Sequence, residues 1–335
     1  MKILLIQFYQ IGDIVLSTPF PREIKRVYPE AKIDFLVAKG FEDVLKYNPN
    51  IENVITIDRK GGVKELLDVI KQVRNRKYDF LIDFHNNPRS AWISLFSGAK
   101  TKITYKYTKR KFAYNQLVMP KREYAIKMKS ALLKPLGIEC KNIRPEIFYK
   151  KEHLARINEM LINYGIQQYV TISPTHKRET RRWPLNYYIE VAKYIYQNYK
   201  LCSIFTAAPN EQEYLSPLKS ENLYGKAFFI APKMTLLELT ALIDNALIHI
   251  GNDSAPHHIA VACKTPTFII LGSSSSGWVF PDEIHTYVNK KLTCQPCNSE
   301  KCKFETIPCL TELKFEDIRQ EFDRFFKRYI LKGIL

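Results

Sequence analysis

No apolar run in this 335-residue chain approaches the roughly 18 to 20 residues that a helix needs to cross a bilayer, which excludes a transmembrane helix. The sequence also lacks the G-x-G-x-x-G turn of dinucleotide enzymes and the G-x-x-x-x-G-K-[ST] loop of P-loop NTPases, so both classes lose their main support. The opening stretch does not read as a secretory leader, because Gln7, Gln10 and Asp13 interrupt it before an apolar segment can form. Seven cysteines is an odd number for a disulfide framework, and four crowd into residues 294–309, so a reduced cytoplasm is the expected compartment. Acidic residues are few: 34 Asp and Glu against 51 Lys and Arg leave a net +17, which favours an anionic partner without choosing among nucleic acid, a phosphorylated small molecule and a lipid surface. Low complexity is confined to Ser273–Ser276, and no fixed-period repeat is present. With 46% apolar, 13% aromatic and 25% charged residues, disordered and fibrous classes are excluded. The length suits two domains of about 150 residues each.

Apolar β-rich runs alternate with amphipathic segments, a rhythm that predicts a parallel α/β architecture. Strands are expected at Lys2–Gln7, Lys32–Val37, Asn53–Ile57 and Phe80–Asp83, with helices at Val15–Val27 and Val63–Val73. In the second half, strands are expected at Tyr169–Ser173, Cys202–Thr206, Ala227–Ile230, Leu247–Ile250 and Thr267–Leu271. Helices are expected there at Leu185–Tyr199, Thr235–Asp244 and Ala255–Cys263. Pro135–Lys151 reads as the crossover, which gives domains 1–150 and 151–335. The final segment, Phe315–Ile334, is amphipathic and rich in Phe; it reads as a packed terminal helix that can return to the N-terminal domain, or as a membrane-surface helix.

Open parallel sheets bind ligands outside the carboxyl ends of their strands, so the loops after strands carry the chemistry. After the first strand comes Gln10-Ile11-Gly12-Asp13, where Gly12 permits a tight turn and Asp13 either caps the next helix or accepts a proton from a hydroxyl nucleophile. After Asp83 comes His85-Asn86-Asn87-Pro88-Arg89, either a polar substrate surface or an ordinary Asn-capped turn. Thr175 through Arg182 supplies hydroxyl and guanidinium donors of the kind phosphate oxygens need. Gly251-Asn252-Asp253-Ser254-Ala255-Pro256-His257-His258 follows a buried strand and enters a helix whose free amides and Ser254 hydroxyl can face an anion.

The segments Gln10–Asp13, Arg181–Pro184 and Gly251–His258 stand in the order and spacing of glycosyltransferase family 9, the ADP-heptose:lipopolysaccharide heptosyltransferases, which this sequence resembles. Phe35–Gly40, Ile82–Arg89, Glu211 and Pro232–Leu236 extend the resemblance over nearly the whole chain. The resemblance implies an α/β GT-B fold, two facing Rossmann-like domains with a cleft between them. The N-terminal domain would bind acceptor and the C-terminal domain nucleotide sugar. It further implies that Asp13 is the general base of an inverting transfer of heptose from an ADP-sugar donor to a lipopolysaccharide core, an anionic glycolipid acceptor. Thr175, Arg181, Glu211, Met234, Asp253, Ser254, Ala255 and His258 would hold the donor, and Gly12, His85, Asn86 and Arg89 the acceptor. Arg181 stands where the family usually has Lys, Ala255 where it has Gly, and Tyr124 where many members have His. Tyr9 and Gln10 stand where lipopolysaccharide-type relatives often carry small hydroxyl residues. Transfer of this kind requires no metal.

Cys294, Cys297, Cys302 and Cys309 form C-x2-C-x4-C-x6-C, which is either a structural zinc or iron site or a set of reduced thiols. Between Lys100 and Lys129 ten basic residues face one acidic residue, interleaved with Tyr105, Tyr107, Phe112 and Tyr114. In a family 9 enzyme this stripe would meet the glycolipid acceptor or the cytoplasmic face of the inner membrane, making the protein peripheral, with no nucleic acid expected. The alternatives are a glycosyltransferase that uses another nucleotide sugar or a protein or other glycan acceptor, and, from a different class, a basic nucleic-acid-binding protein.

Overall fold

A computed structural model describes residues 1–334, with the side chains of the last helix given through 330. The chain forms two compact units, Met1–Phe148 and Tyr149–Leu335. Among the described residues no helix is long and apolar enough to cross a membrane.

The first unit runs β1 (Lys2–Ile6), α1 (Ile11–Val15), α2 (Pro19–Val27), β2 (Lys32–Ala38), β3 (Asn53–Ile57), α3 (Gly62–Asn75), β4 (Phe80–Asp83), α4 (Pro88–Phe96), β5 (Thr101–Tyr105), β6 (Gln116–Val118) and α5 (Ala125–Ser130). Its six strands are all parallel, in the order β3-β2-β1-β4-β5-β6. Ile3 to Ile6 are fully buried, as expected of a central strand covered on both faces. The helix expected over Val15–Val27 is broken at Leu16–Thr18. Pro19 has no N–H to continue the ladder, so Ser17 and Thr18 close tight turns onto the carbonyls of Ile14 and Val15 and α2 starts afresh.

The second unit runs α6 (Lys151–Asn163), β7 (Tyr169–Ser173), α7 (Leu185–Tyr199), β8 (Cys202–Phe205), β9 (Phe228–Ile230), α8 (Leu236–Asp244), β10 (His249–Asn252), α9 (Ala255–Cys263), β11 (Thr267–Ile270), β12 (His285–Val288), α10 (Pro308–Thr311) and α11 (Phe315–Ile334). Its strands are again all parallel, in the order β12-β11-β10-β7-β8-β9. Ile318, Phe322, Phe325 and Phe326 of α11 join Tyr188, Val191 and Phe268 in this unit's own core. Through Ile330 the apolar face of the terminal helix is therefore packed in this core rather than offered to a lipid surface.

Both sheets have the Rossmann-like order in which the first strand sits at the centre and the connections switch direction beside it. Two such units in one chain constitute the GT-B fold. The crevice that this switch creates lies at the carboxyl ends of β1 and β4 in one unit and of β7 and β10 in the other. The loops leaving those four strands are the ones that carry the polar motifs.

Candidate active site

In the N-terminal unit, Gln10 takes a left-handed φ of 41° and turns the chain from β1 into α1. The tight turn expected at Gly12 therefore falls two residues earlier, and Gly12 lies inside α1 with its carbonyl accepting from the Leu16 N–H. The carboxylate of Asp13 does not cap this helix. Its partner is Lys129 of α5, whose Nζ lies 3.4 Å from Oδ1. Lys129 is buried, donates to Gln7 Oε1 at 2.7 Å and Ser17 Oγ at 3.4 Å, and stands over the ring of Phe84 at 5.9 Å. Burial pulls its ammonium below the ordinary lysine range, and Asp13 opposes that pull.

The lysine also sets the state of His85. An ammonium can only donate, so Gln7 must present its oxygen to Lys129 and its amide nitrogen to His85 Nδ1 at 3.0 Å, which places the imidazole proton on Nε2. Burial first, then the Lys129 charge, push the His85 pKa down to about 4 against the pull of Asp13, so the ring is neutral at physiological pH. It packs edge-on against Tyr9, with ring centroids 4.6 Å apart.

The other two residues expected at the acceptor are held by neighbours. Asn86 accepts from Thr108 Oγ1 at 2.6 Å, and Arg89 donates to the carbonyls of Asp58 and Arg59 at 3.3 and 2.9 Å. Sequence reasoning missed the guanidinium of Arg59, which lies over the Tyr9 ring at 4.5 Å. It missed Lys129 as well. The available signal was a lysine on the buried face of α5 with Ala125 and Ile126, where a surface lysine does not belong.

In the C-terminal unit, Gly251 lets β10 approach β7, because a Cβ there would lie 2.9 Å from the Ser173 carbonyl oxygen. Asn252 donates to the Pro174 carbonyl and accepts from the Trp183 N–H and the Tyr188 hydroxyl, tying the β7 loop and the start of α7 to the end of β10. Asp253 is thereby set between two cations or potential cations: Arg181 Nη1 at 3.2 Å and His258 Nε2 at 3.9 Å. Burial lowers the Arg181 pKa from its ordinary value, while Asp253 raises it. Ser254 heads α9 without capping it. Its hydroxyl and the Nε of Arg181 are buried with no hydrogen-bond partner among the described residues, an expensive arrangement that a bound anion would relieve. Ala255 occupies the first turn of α9, and Thr175 is half-buried in the loop after β7. Glu211 and Met234 follow β8 and β9, the next two strands outward from β7; Met234 packs against the cluster containing Leu242 and Ala246.

A structural metal at the four cysteines is not supported. Among the described residues no group of three or more His, Cys, Asp or Glu side chains is arranged to hold an ion, and all four thiols are free. A closed tetrahedral site needs four converging thiolates. Cys309 instead belongs to the apolar core, where burial and the nearby sulfurs of Cys302, Cys294 and Cys297 push its thiol up to about 11. The loop has a mechanical role. Gln295 donates to the Gly272 carbonyl, the Asn298 N–H to the Ser273 carbonyl, and Thr180 to the Ser299 carbonyl, bracing the turn that carries Arg181.

These two parallel sheets, with a carboxylate at one switch point and cation and helix-terminal donors at the other, match a known class. The family model for glycosyltransferase family 9 (heptosyltransferase) matches residues 66–307. The chain belongs to this family and is a glycosyltransferase. It is 28% identical over 281 residues to lipopolysaccharide heptosyltransferase 3 of Escherichia coli strain K12, covering 78% of this chain and 80% of that protein. Its fold is similar to the crystal structure of a glycosyltransferase family 9 protein from Veillonella parvula DSM 2008, with a TM-score of 0.84 and 20% identity over 97% of this chain and 96% of that one. It is likewise similar to ADP-heptose lps heptosyltransferase II of E. coli, with a TM-score of 0.81 and 18% identity over 98% and 99% of the two chains.

Proposed function

We propose that this chain transfers heptose from ADP-heptose to a lipopolysaccharide core acceptor with inversion, acting at the cytoplasmic face of the inner membrane, with Asp13 as the general base. The chain's likeness to lipopolysaccharide heptosyltransferase 3 and to ADP-heptose lps heptosyltransferase II supports the donor and the acceptor class. The observation that carries the donor assignment is a pair of buried donors without a hydrogen-bond partner among the described residues: Ser254 Oγ at the start of α9 and Arg181 Nε in the turn after β7. A diphosphate supplies the missing acceptors, and the free amides of the helix terminus add to the attraction. Glu211 follows the strand next to the crevice, where Rossmann-like folds place the acidic group that binds ribose, and Met234 offers an apolar side chain toward the base.

In the reaction, Asp13 takes the proton of the acceptor hydroxyl as its oxygen forms a bond to the anomeric carbon. The bond from that carbon to the diphosphate oxygen breaks, and ADP leaves with the electron pair. Arg181, Ser254 and the α9 amides meet the charge that grows on the leaving group. Lys129 is a positioning residue: it holds the Asp13 carboxylate in place, and through Gln7 it fixes the neutral tautomer of His85. His85, Asn86 and Arg89 shape the acceptor surface, the last two through the turns they tie.

The test is nucleotide release from ADP-heptose in the presence of a heptose-deficient core acceptor, compared with UDP- and GDP-sugars. Acceptor-dependent ADP release with the ADP-sugar alone is expected. Faster turnover of a UDP- or GDP-sugar overturns the donor assignment.

A further inference from the structure

Helix α4 leaves the acceptor crevice and carries large rings into solvent. Its first turn is fixed at the site, since the Asn87 cap donates to the Tyr9 hydroxyl at 3.1 Å. Trp92 and Phe96 then follow about 6 and about 12 Å along the axis. Both are well exposed, at 44% and 46%, and their rings stack 5.9 Å apart. Phe112, 63% exposed, joins them from the turn that packs on α4, with its ring 6.0 Å from Trp92. That turn is itself anchored where Ser94 Oγ donates to the Ala113 carbonyl. Three contiguous rings facing water are an interaction surface, because scattered exposure would not bring them together.

The chain around these rings is cationic. Lys106, Lys109, Lys111, Lys121 and Arg122 are exposed, lie on the β5 to β6 connection or just beyond β6, and make no ion pair among the described residues. Exposed Trp and Phe beside unpaired Lys and Arg match the two layers of an anionic bilayer surface, acyl boundary and phosphate. A nucleic-acid strand is matched less well. It needs open ring faces on which bases stack. Here Tyr107 is already stacked on Tyr105 at 5.0 Å, and Trp92 on Phe96.

We infer that Trp92, Phe96 and Phe112, with the flanking lysines, dock the N-terminal unit onto an anionic lipid bilayer. The inference rests on the proposed use of a glycolipid acceptor. Docking within one helix length of Asp13 would bring the sugar end of that lipid to the base without extracting its acyl chains.

The experiment uses the full chain and vesicles of phosphatidylethanolamine with phosphatidylglycerol, the latter brominated in one set. Trp92 is the most exposed of the three tryptophans, Trp183 being fully buried, so brominated lipid should quench the emission of wild type strongly and that of the Trp92→Phe variant weakly. The double variant Trp92→Ser with Phe112→Ser should lose at least about tenfold in vesicle partitioning. It should also keep its turnover of a deacylated, water-soluble core acceptor. Equal partitioning of wild type and double variant overturns the surface while leaving the enzyme reading intact. Displacement of the vesicles by an oligonucleotide that binds more tightly, with the same loss in the double variant, overturns the lipid assignment in favour of nucleic acid. Ring-dependent vesicle binding without turnover of any core acceptor supports the docking surface and removes the reading on which its purpose rests.

Discussion

The ammonium of Lys129 lies 3.4 Å from the half-buried carboxylate of Asp13 and ties it to a buried network with Gln7 and Ser17. Removing that ammonium takes away the contact that holds the carboxylate in place, so in Lys129→Met kcat/KM should fall by about tenfold or more while ADP affinity, read by calorimetry, stays within about twofold. Lys129→Arg should restore part of that loss. An unchanged kcat/KM in Lys129→Met, with only a lower Tm, would reduce Lys129 to a core lysine.

Asp13→Asn preserves shape but cannot accept the proton. Its kcat should fall by a factor of about 10² to 10⁴. ADP affinity, measured by calorimetry, should stay within about twofold, because the proposed role of the carboxylate is toward acceptor and not nucleotide. A loss confined to ADP binding would contradict the assignment.

Much of the fold was legible because central strands announce themselves. Asn53–Ile57, Phe80–Asp83 and Tyr169–Ser173 were read with the ends the structure has, each being a short apolar or β-branched run bounded by turn chemistry. β5 and β6 were not recognised: Thr101–Tyr105 and Gln116–Val118 sit in a segment whose charge masks a brief alternation, and pairing with β4 and with each other is what makes them strands. The candidate site divides the same way. Asp13, Arg181, Asp253 and His258 were visible because each follows a strand. Lys129 was not, since it reaches Asp13 from 112 residues beyond Ser17 and only tertiary packing brings it there. The cysteine spacing left a metal site and reduced thiols both open because spacing is one-dimensional; in the fold the four sulfurs lie near one another, yet among the described residues they are not arranged to hold an ion.

Arg181 and Asp253 are a mostly buried pair, with side chains 15% and 3% exposed. Arg181→Ala should weaken ADP binding by about tenfold or more, since a charge-assisted contact to phosphate is lost. It should also destabilise the fold by about 3 to 5 kcal/mol, because Asp253 is left buried without its cation. Adding Asp253→Asn should recover part of the stability and none of the ADP affinity. Equal stability of the single and double variants, read from urea midpoints, would rule out this coupling.

Gly272 lets the loop after β11 lie against the Arg181 turn. A Cβ there would collide with the Thr180 carbonyl oxygen and reach within 2.8 Å of Leu310 Cδ1. Gly272→Ala should therefore cost about 1 to 3 kcal/mol of stability by overpacking and weaken ADP binding together with it. An unaffected thermal midpoint would show that the brace yields without consequence.

His85 and His249 are held neutral by burial, with pKa values pushed down to about 4 and about 3. The unfolded chain protonates its histidines near 6.5. Between that pH and the folded values the unfolded state binds more protons, so stability falls as pH falls from about 6.5 toward 4, on the order of 3 kcal/mol for His85 alone. Urea midpoints across this range should decline. The imidazole resonances of both residues should show no titration above pH 5, and a midpoint near 6.5 for either would refute its burial as a neutral ring.

Each sheet reverses its connections beside its own central strand, so each carries its own binding crevice assembled from its own loops. With acceptor on the first unit and donor on the second, as proposed, recognition of the two reactants is modular. Loops leaving β1 and β4 can diverge to suit new glycan termini while those leaving β7 and β10 keep the same activated sugar, and a lineage can broaden its surface chemistry without relearning how to use its donor.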